Sequence, residues 1–182
     1  MDHFAFGPRD GAIVQMAYSV ADIQAEMRRY SELLHVGPWF LVGPFVPPES
    51  FYRGQKTIMQ VSLAYAYSGE LMIELIQQHD DQPSVFQETR KAHGDWGFHH
   101  FAIGARDFDK AAADYRGRGY AEAYYGIRPE PLNCRCLYFD ATRDLPGMLE
   151  VIEVNQATEE FYRRMYQAAK EWNGKDHIVH RI

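Results

Sequence analysis

The sequence predicts an α+β fold: two βαβββ modules pair to form one curved mixed sheet around a cup, and a C-terminal helix follows. Three observations carry that expectation. Gln15-Met-Ala-Tyr-Ser-Val-Ala-Asp22-Ile is echoed eighty-five residues later by His100-Phe-Ala-Ile-Gly-Ala-Arg-Asp107-Phe. Each copy is a short apolar strand with a metal-capable residue at its start and, at its end, an Asp placed to cap a helix. Each is answered by a Glu inside a later apolar strand, Met72-Ile-Glu74-Leu-Ile and Met148-Leu-Glu150-Val-Ile. One βαβββ unit leaves the concave face of its sheet uncovered, whereas two can enclose it between them. With 182 residues the chain has about the length of one domain. Within a single domain 1–182 the expected parts are a module 12–77, a connector 78–97, a second module 98–155 and a C-terminal helix 156–172.

Ile13 to Val20 reads as the first strand and Asp22 as a helix N-cap. Ile23, Met27, Tyr30 and Leu34 recur at helical spacing, and Gly37-Pro38 stops that helix. Trp39 to Phe45 reads as the second strand. Pro44, Pro47 and Pro48 end it and begin a loop through Phe51-Tyr-Arg-Gly54. Ile58 to Tyr67 is the third strand, and Ser68-Gly69-Glu70 turns the chain into a fourth, Leu71 to Gln77. The polar connector holds a short helix near Ser84 to Ala92. The order then repeats. Phe98 to Ala105 is a strand, Asp107 caps a helix that ends at Gly117 and Gly119, and Tyr120 to Ile127, Cys134 to Ala141 and Met148 to Val154 are strands. Arg128-Pro-Glu-Pro131 and Thr142 to Gly147 read as turns. Phe161, Met165, Ala168, Ala169 and Trp172 give the last helix an apolar stripe. His3, although it sits in a phrase like that of His100, lies too early to open the first module and reads as part of an N-terminal arm.

An apolar fraction of 46% suffices for a full core, and a net charge of −6 gives no basic footprint for nucleic acid. No apolar run approaches the roughly 18 residues that cross a membrane, and the first residues lack the pattern of a signal peptide. A cytoplasmic protein is expected. Cys134 and Cys136 share one face of a strand and read as inert buried thiols.

Strand periodicity gives each candidate residue a face. Gln15 shares its face with Ala17 and Ser19, opposite Met16, Tyr18 and Val20. His100 shares its face with Ala102 and Gly104, opposite Phe101 and Ile103. In both strands one face is bulky and apolar, and the other is small beside a polar residue, as expected where a strand borders a ligand cavity. His99 would point the other way. A carboxylate in mid-strand is costly to bury unless it is paired, protonated or bound to a cation, and here two stand at matching places. Gln15, Glu74, His100 and Glu150 would offer three oxygen donors and one imidazole nitrogen, a set suited to one divalent ion with positions open to substrate. Zn, Mn, Co, Ni, Fe and Mg all remain open. Each residue also has a plainer reading: a structural histidine, salt-bridged carboxylates, a hydrogen-bonding amide. Arg53 and Arg135 could pair a substrate carboxylate or phosphate, with solvated surface charge as the plainer role. Aromatics on the second and third strands could favour an apolar or aromatic substrate.

At these residues the chain resembles the glyoxalase/bleomycin-resistance/dioxygenase superfamily, the vicinal oxygen chelate proteins, over about residues 12 to 155. The phrases that carry the likeness are Gln15-Met-Ala-Tyr-Ser-Val-Ala-Asp22, Leu71-Met-Ile-Glu74-Leu-Ile-Gln77, Gly97-Phe-His-His100-Phe-Ala-Ile, Tyr138-Phe-Asp140 and Gly147-Met-Leu-Glu150-Val-Ile-Glu153. The resemblance implies that Gln15, Glu74, His100 and Glu150 hold the metal. Many members carry His where this chain has Gln15, and animal glyoxalase I is similar in using a Gln, Glu, His, Glu set. The segment from Glu74 to Asp81 also resembles the branch that includes methylmalonyl-CoA epimerase.

The resemblance implies a metal-dependent lyase or isomerase that abstracts a proton next to a carbonyl, with Glu150 or Glu74 as the catalytic carboxylate. The expected partners are a small-molecule substrate and, as a homodimer, a second copy of the chain. Two alternatives stay open: a non-catalytic small-molecule-binding protein of the same fold, kept in play by Gln15, and an extradiol dioxygenase. The dioxygenase is the weaker, because the four positions cannot supply two histidines and a carboxylate.

Overall fold

The computed structural model describes residues 3–175 and 179–181. In chain order the elements are β1 (Ile13–Val20), α1 (Ile23–Leu34), β2 (Trp39–Phe45), β3 (Ser50–Tyr52), β4 (Gln55–Lys56), β5 (Val61–Ser68) and β6 (Leu71–Gln78). Then come α2 (Val85–His93), β7 (Trp96–Ala105), α3 (Phe108–Gly117), β8 (Ala121–Ile127), β9 (Arg135–Asp140), β10 (Met148–Glu153), α4 (Gln156–Glu171) and β11 (Val179–Arg181). All the strands join one curved, unclosed mixed sheet in the order β11-β2-β5-β6-β1-β7-β10-β9-β8-β3-β4.

The two halves are built alike. β1 runs parallel to β6, β7 runs parallel to β10, and the halves meet where β1 and β7 pair antiparallel. The helices start where capping chemistry dictates. Asp22 accepts from Ala25 N–H at 2.9 Å, Ser84 from Gln87 N–H at 3.0 Å, Asp107 from Lys110 N–H at 3.0 Å and Asn155 from Thr158 N–H at 3.0 Å.

Each sheet half covers its convex side with its own helix. α1 lays Ile23 and Met27 on Trp39, Leu41, Ala64 and Leu75. α3 lays Phe108 and Ala112 on Leu137, Phe139 and Val151. The concave side is a shared core in which Tyr65, Met72, Tyr124, Cys136, Tyr138 and Met148 meet Phe161, Tyr162 and Met165 of α4. The last helix therefore closes the cup. Cys134 and Cys136 are free, buried thiols, and burial pushes Cys134 up to about 11. No helix among the described residues is long and apolar enough to cross a membrane.

Two short pairings depart from the sequence expectation. The loop after Pro48 contains the β3–β4 hairpin, turned by Arg53 (φ 47°) and Gly54 (φ 81°), the two positive φ angles that a tight hairpin turn needs. It belongs to the first module by sequence, yet it pairs with β8 of the second. Arg53 fixes it there, donating to Glu88 at 2.8 and 3.0 Å and to Asp140 at 3.1 Å. At the other edge β11 adds to β2 in parallel.

Candidate metal and catalytic site

The sheet register assembles the site. In the first half Ala17 stands beside Glu74, and in the second Ala102 stands beside Glu150. Across the central seam Gln15 faces Ala102 and His100 faces Ala17. Each polar residue thus has an alanine opposite it, which leaves room for four long side chains on one face. Each glutamate also has a tyrosine at its side on the next strand, Tyr65 for Glu74 and Tyr138 for Glu150.

All four residues are fully buried, and their polar atoms converge. The Gln15 amide donates to Glu74 Oε2 at 2.6 Å and meets His100 Nε2 at 3.1 Å. His100 Nε2 also lies 2.9 Å from Glu150 Oε2 and 3.6 Å from Glu74 Oε2. Glu74, His100 and Glu150 present ligand atoms that all lie within 4.8 Å of one another.

His99 does not point away as strand alternation predicts. Ala17 pairs with His100 but Tyr18 pairs with Phe98, so His99 is the extra residue of a β-bulge. The bulge turns it inward, and its Nδ1 lies 2.7 Å from His100 Nδ1. Gln15 Nε2 lies 3.1 Å from His100 Nε2, so each ring nitrogen of His100 has a buried polar neighbour, and the tautomer follows from which of these neighbours donates. Tyr138 meets the His100 ring edge-on at 4.8 Å between centroids. His100 is therefore oriented from two sides, with Nε2 aimed into the cluster. Burial, and then the neighbouring His100, push His99 well below the ordinary histidine range.

Arg128 is the residue that sequence reasoning missed. Its guanidinium reaches into the cup, donating to Glu74 Oε1 at 3.2 Å, to Glu150 Oε1 at 2.8 Å and to the Tyr65 hydroxyl. It reads as part of a turn because two prolines follow. Yet Tyr124, Gly126 and Arg128 continue the alternation of β8, and that phase leads to the cup face. Arg53 and Arg135 instead lie outside the cluster, half-exposed and paired: Arg53 as above, Arg135 with Asp109 and Glu153.

The two carboxylates are driven apart. Burial pushes Glu74 upward against the opposing pull of Arg128 and His100. Burial acts on Glu150 in the same sense, but there Arg128 and His100 win and hold it down at about 2. Arg128 stays charged despite its burial because Glu150, Tyr65 and Glu74 surround it.

The donor set fits a divalent ion. Two buried oxygens, Gln15 Oε1 and Glu150 Oε2, receive no hydrogen bond. His100 Nε2 and Glu150 Oε2 meet at 2.9 Å in a fully buried setting, a contact that either a shared proton or a cation between them satisfies. Rotating the Gln15 amide, whose oxygen and nitrogen ends are interchangeable in shape, would turn a third oxygen toward the same point. Carboxylate oxygens, an amide oxygen and a neutral imidazole are ordinary ligands for zinc, manganese and related ions.

Known proteins agree with this architecture. No curated protein matches the chain in sequence. Among solved structures, a hypothetical protein from Bacillus halodurans C-125 superposes with a TM-score of 0.56 at 17% identity, covering 80% of this chain and 95% of its own. Methylmalonyl-CoA epimerase from Mycobacterium tuberculosis superposes with a TM-score of 0.54 at 18% identity, covering 79% and 87%. A methylmalonyl-CoA epimerase in complex with methylmalonyl-CoA and NH4+ superposes with a TM-score of 0.52 at 16% identity, covering 80% and 95%. At such identities these likenesses concern the fold. The family model of the Glyoxalase/Bleomycin resistance protein/Dioxygenase superfamily matches residues 14–138, and the chain belongs to that superfamily.

Proposed function

We propose that this protein is a metal-dependent isomerase or lyase of the glyoxalase or epimerase type, which removes a proton next to a carbonyl group of a small organic substrate. The observation that carries the reading is the convergence of Gln15, Glu74, His100 and Glu150, all buried, with ligand atoms of the last three within 4.8 Å. A divalent ion held by these four would act as a Lewis acid toward two neighbouring substrate oxygens and offset the charge of an enolate.

The chain's own residues supply the rest. Glu150 Oε2, which accepts no hydrogen bond, is the proposed proton acceptor. It takes the proton from the α-carbon, and the electron pair of the C–H bond moves into the enolate. Glu74, from the other half, can return the proton to carbon, so no oxidant or reductant is needed. His99 and Tyr138 hold the His100 ring in place. Tyr124, Tyr138 and Phe86 surround the site with apolar surface that excludes water and suits an apolar or aromatic substrate body. The shared fold with methylmalonyl-CoA epimerases supports a substrate with an activated α-carbon. Action in the cytoplasm, as a homodimer, belongs to the same proposal.

The test is metal analysis of the purified protein, together with α-proton exchange in heavy water on a panel of acyl thioesters and hemithioacetals. About one divalent ion per chain is expected. Glu150→Gln should lower exchange by at least about 100-fold, the scale of general-base catalysis. A metal-free protein, or exchange untouched by Glu150→Gln, overturns the reading. A specific observation favours a second one: Arg128 already pairs with both carboxylates from within, as suits a non-catalytic binding protein. Metal analysis separates the two.

A further inference from the structure

Arg128 is the one lysine or arginine among the described residues that reaches the four-residue cluster, and it divides each carboxylate in two. The Oε1 atoms of Glu74 and Glu150 accept from its Nη1 and Nη2, at 3.2 and 2.8 Å. The Oε2 atoms face Gln15 and His100 on the other side. We infer that Arg128 is a built-in counter-ion that sets the cation affinity of the site. It holds the two carboxylates together when no metal is bound, and it competes for their charge with a divalent ion. The inference rests on the metal-binding reading above.

The competition follows from how Arg128 is held. Its backbone N–H donates to Cys134 C=O at 2.9 Å, closing the loop between β8 and β9. That loop is tied to the start of α4, where Thr158 Oγ1 donates to Leu132 C=O at 3.2 Å and Asn155 Nδ2 to Asn133 C=O at 2.9 Å. Leu132 is buried. Met59, Leu63, Phe86, Tyr124, Cys136 and Tyr138 line the cleft beside the guanidinium, so its surroundings other than the two carboxylates and the Tyr65 hydroxyl are mainly apolar. Arg128 therefore finds its charge partners in the two carboxylates while the loop stays anchored. An ion entering on the Oε2 side meets carboxylates whose charge is already partly offset, with a positive charge close behind them and little water between to screen it.

The experiment is calorimetric titration of the metal-stripped protein with Mn2+ and with Zn2+, for the wild type, Arg128→Met and Arg128→Lys. The methionine variant keeps the aliphatic bulk and removes the charge, so it should bind both ions about tenfold or more tightly than the wild type. The lysine variant should fall between, because an ammonium is a point charge that cannot bridge both carboxylates as a planar fork does. Added metal should also raise the melting temperature of Arg128→Met more than that of the wild type. If Arg128→Met folds only when Mn2+ or Zn2+ is present, the counter-ion role is supported directly. If it does not fold at all, Arg128→Lys decides: tighter binding than the wild type supports the inference, and equal binding overturns it. Wild-type affinity in Arg128→Met overturns the inference and leaves the metal-binding reading standing. No binding by any of the three proteins removes both.

Discussion

Glu150 and His99 lie almost side by side in the cup, and each carries its own pH dependence. His99 is held neutral by burial, well below the ordinary histidine value near 6.5. As pH falls below that value the unfolded chain takes up a proton that the folded chain refuses. The His99 contribution to stability is therefore fully present above pH 6.5 and declines below it, by up to about 1.4 kcal/mol per pH unit for one proton. Glu150 behaves oppositely in origin but alike in outcome. Its folded value of about 2 lies below the ordinary value near 4.5, so its contribution is present above 4.5 and lost as pH falls toward 2. Glu74, pushed upward, opposes part of that loss. Urea unfolding of the wild type and of His99→Phe between about pH 8 and 5 isolates the first effect. The expected result is a decline in the wild type that is largely absent in the variant; equal slopes would count against it. At this scale the sequence showed a good deal. Gln15, Glu74, His100 and Glu150 were legible because a period of two fixes a face and the repeat fixes four equivalent places. His99 was not, because a bulge depends on what the partner strand does and leaves no local mark. Arg128 was hidden by the prolines that follow it.

Among the elements, β7 and the turn before β10 pack backbone against backbone with little slack. A Cβ on Gly147 would come within 2.5 Å of the His99 carbonyl oxygen, a backbone atom at the bulge itself. Gly147→Ala should therefore shift the bulge, destabilise the protein by about 1–3 kcal/mol as over-packing does, and weaken Mn2+ binding through the displaced His100. Denaturant unfolding and a metal titration check both halves of this, and a variant that loses neither stability nor metal affinity would refute it. The long elements were legible in advance because each announces its own start. Asp22 and Asp107 cap the helices that the sequence has them cap, Ser84 caps the connector helix expected near it, and the paired strands follow the alternation of Gln15 to Ser19 and His100 to Gly104. In the sequence the β3–β4 hairpin reads as loop. Three residues and two residues carry little periodicity, and what holds them is tertiary: the contacts of Arg53 with Glu88 and Asp140.

For the whole molecule, that hairpin couples the halves. By sequence it sits between β2 and β5, and in space it lies beyond β8. Arg53 is part-exposed and its pairs are screened by solvent, so Arg53→Ala should cost no more than about 1 kcal/mol. Its effect should be local. Amide hydrogen exchange should speed up in 50–56 and in β8 while β1 and β7 stay protected. Uniform loosening across the sheet would show that the hairpin contributes to global stability instead. The paired halves and the cup could be expected from the duplicated pattern, because neither half can cover its concave face alone. The crossover could not, since nothing in residues 46–57 names the strand they will join.

The same crossover has a bearing on assembly. A sheet that ended at β2 and β8 would expose two long strands with unpaired backbone groups, ready to template another chain. Here β2 is covered by the three residues of β11, and β8 by a hairpin whose outermost strand is the exposed pair Gln55 and Lys56. At Trp39 to Leu41 of β2 and Tyr124 to Gly126 of β8 the outer backbone is already paired, so a second copy could add a strand there only by displacing these short pairings. Self-association through helices and loops would leave those pairings intact, and its geometry would owe more to side-chain fit than to backbone hydrogen bonds.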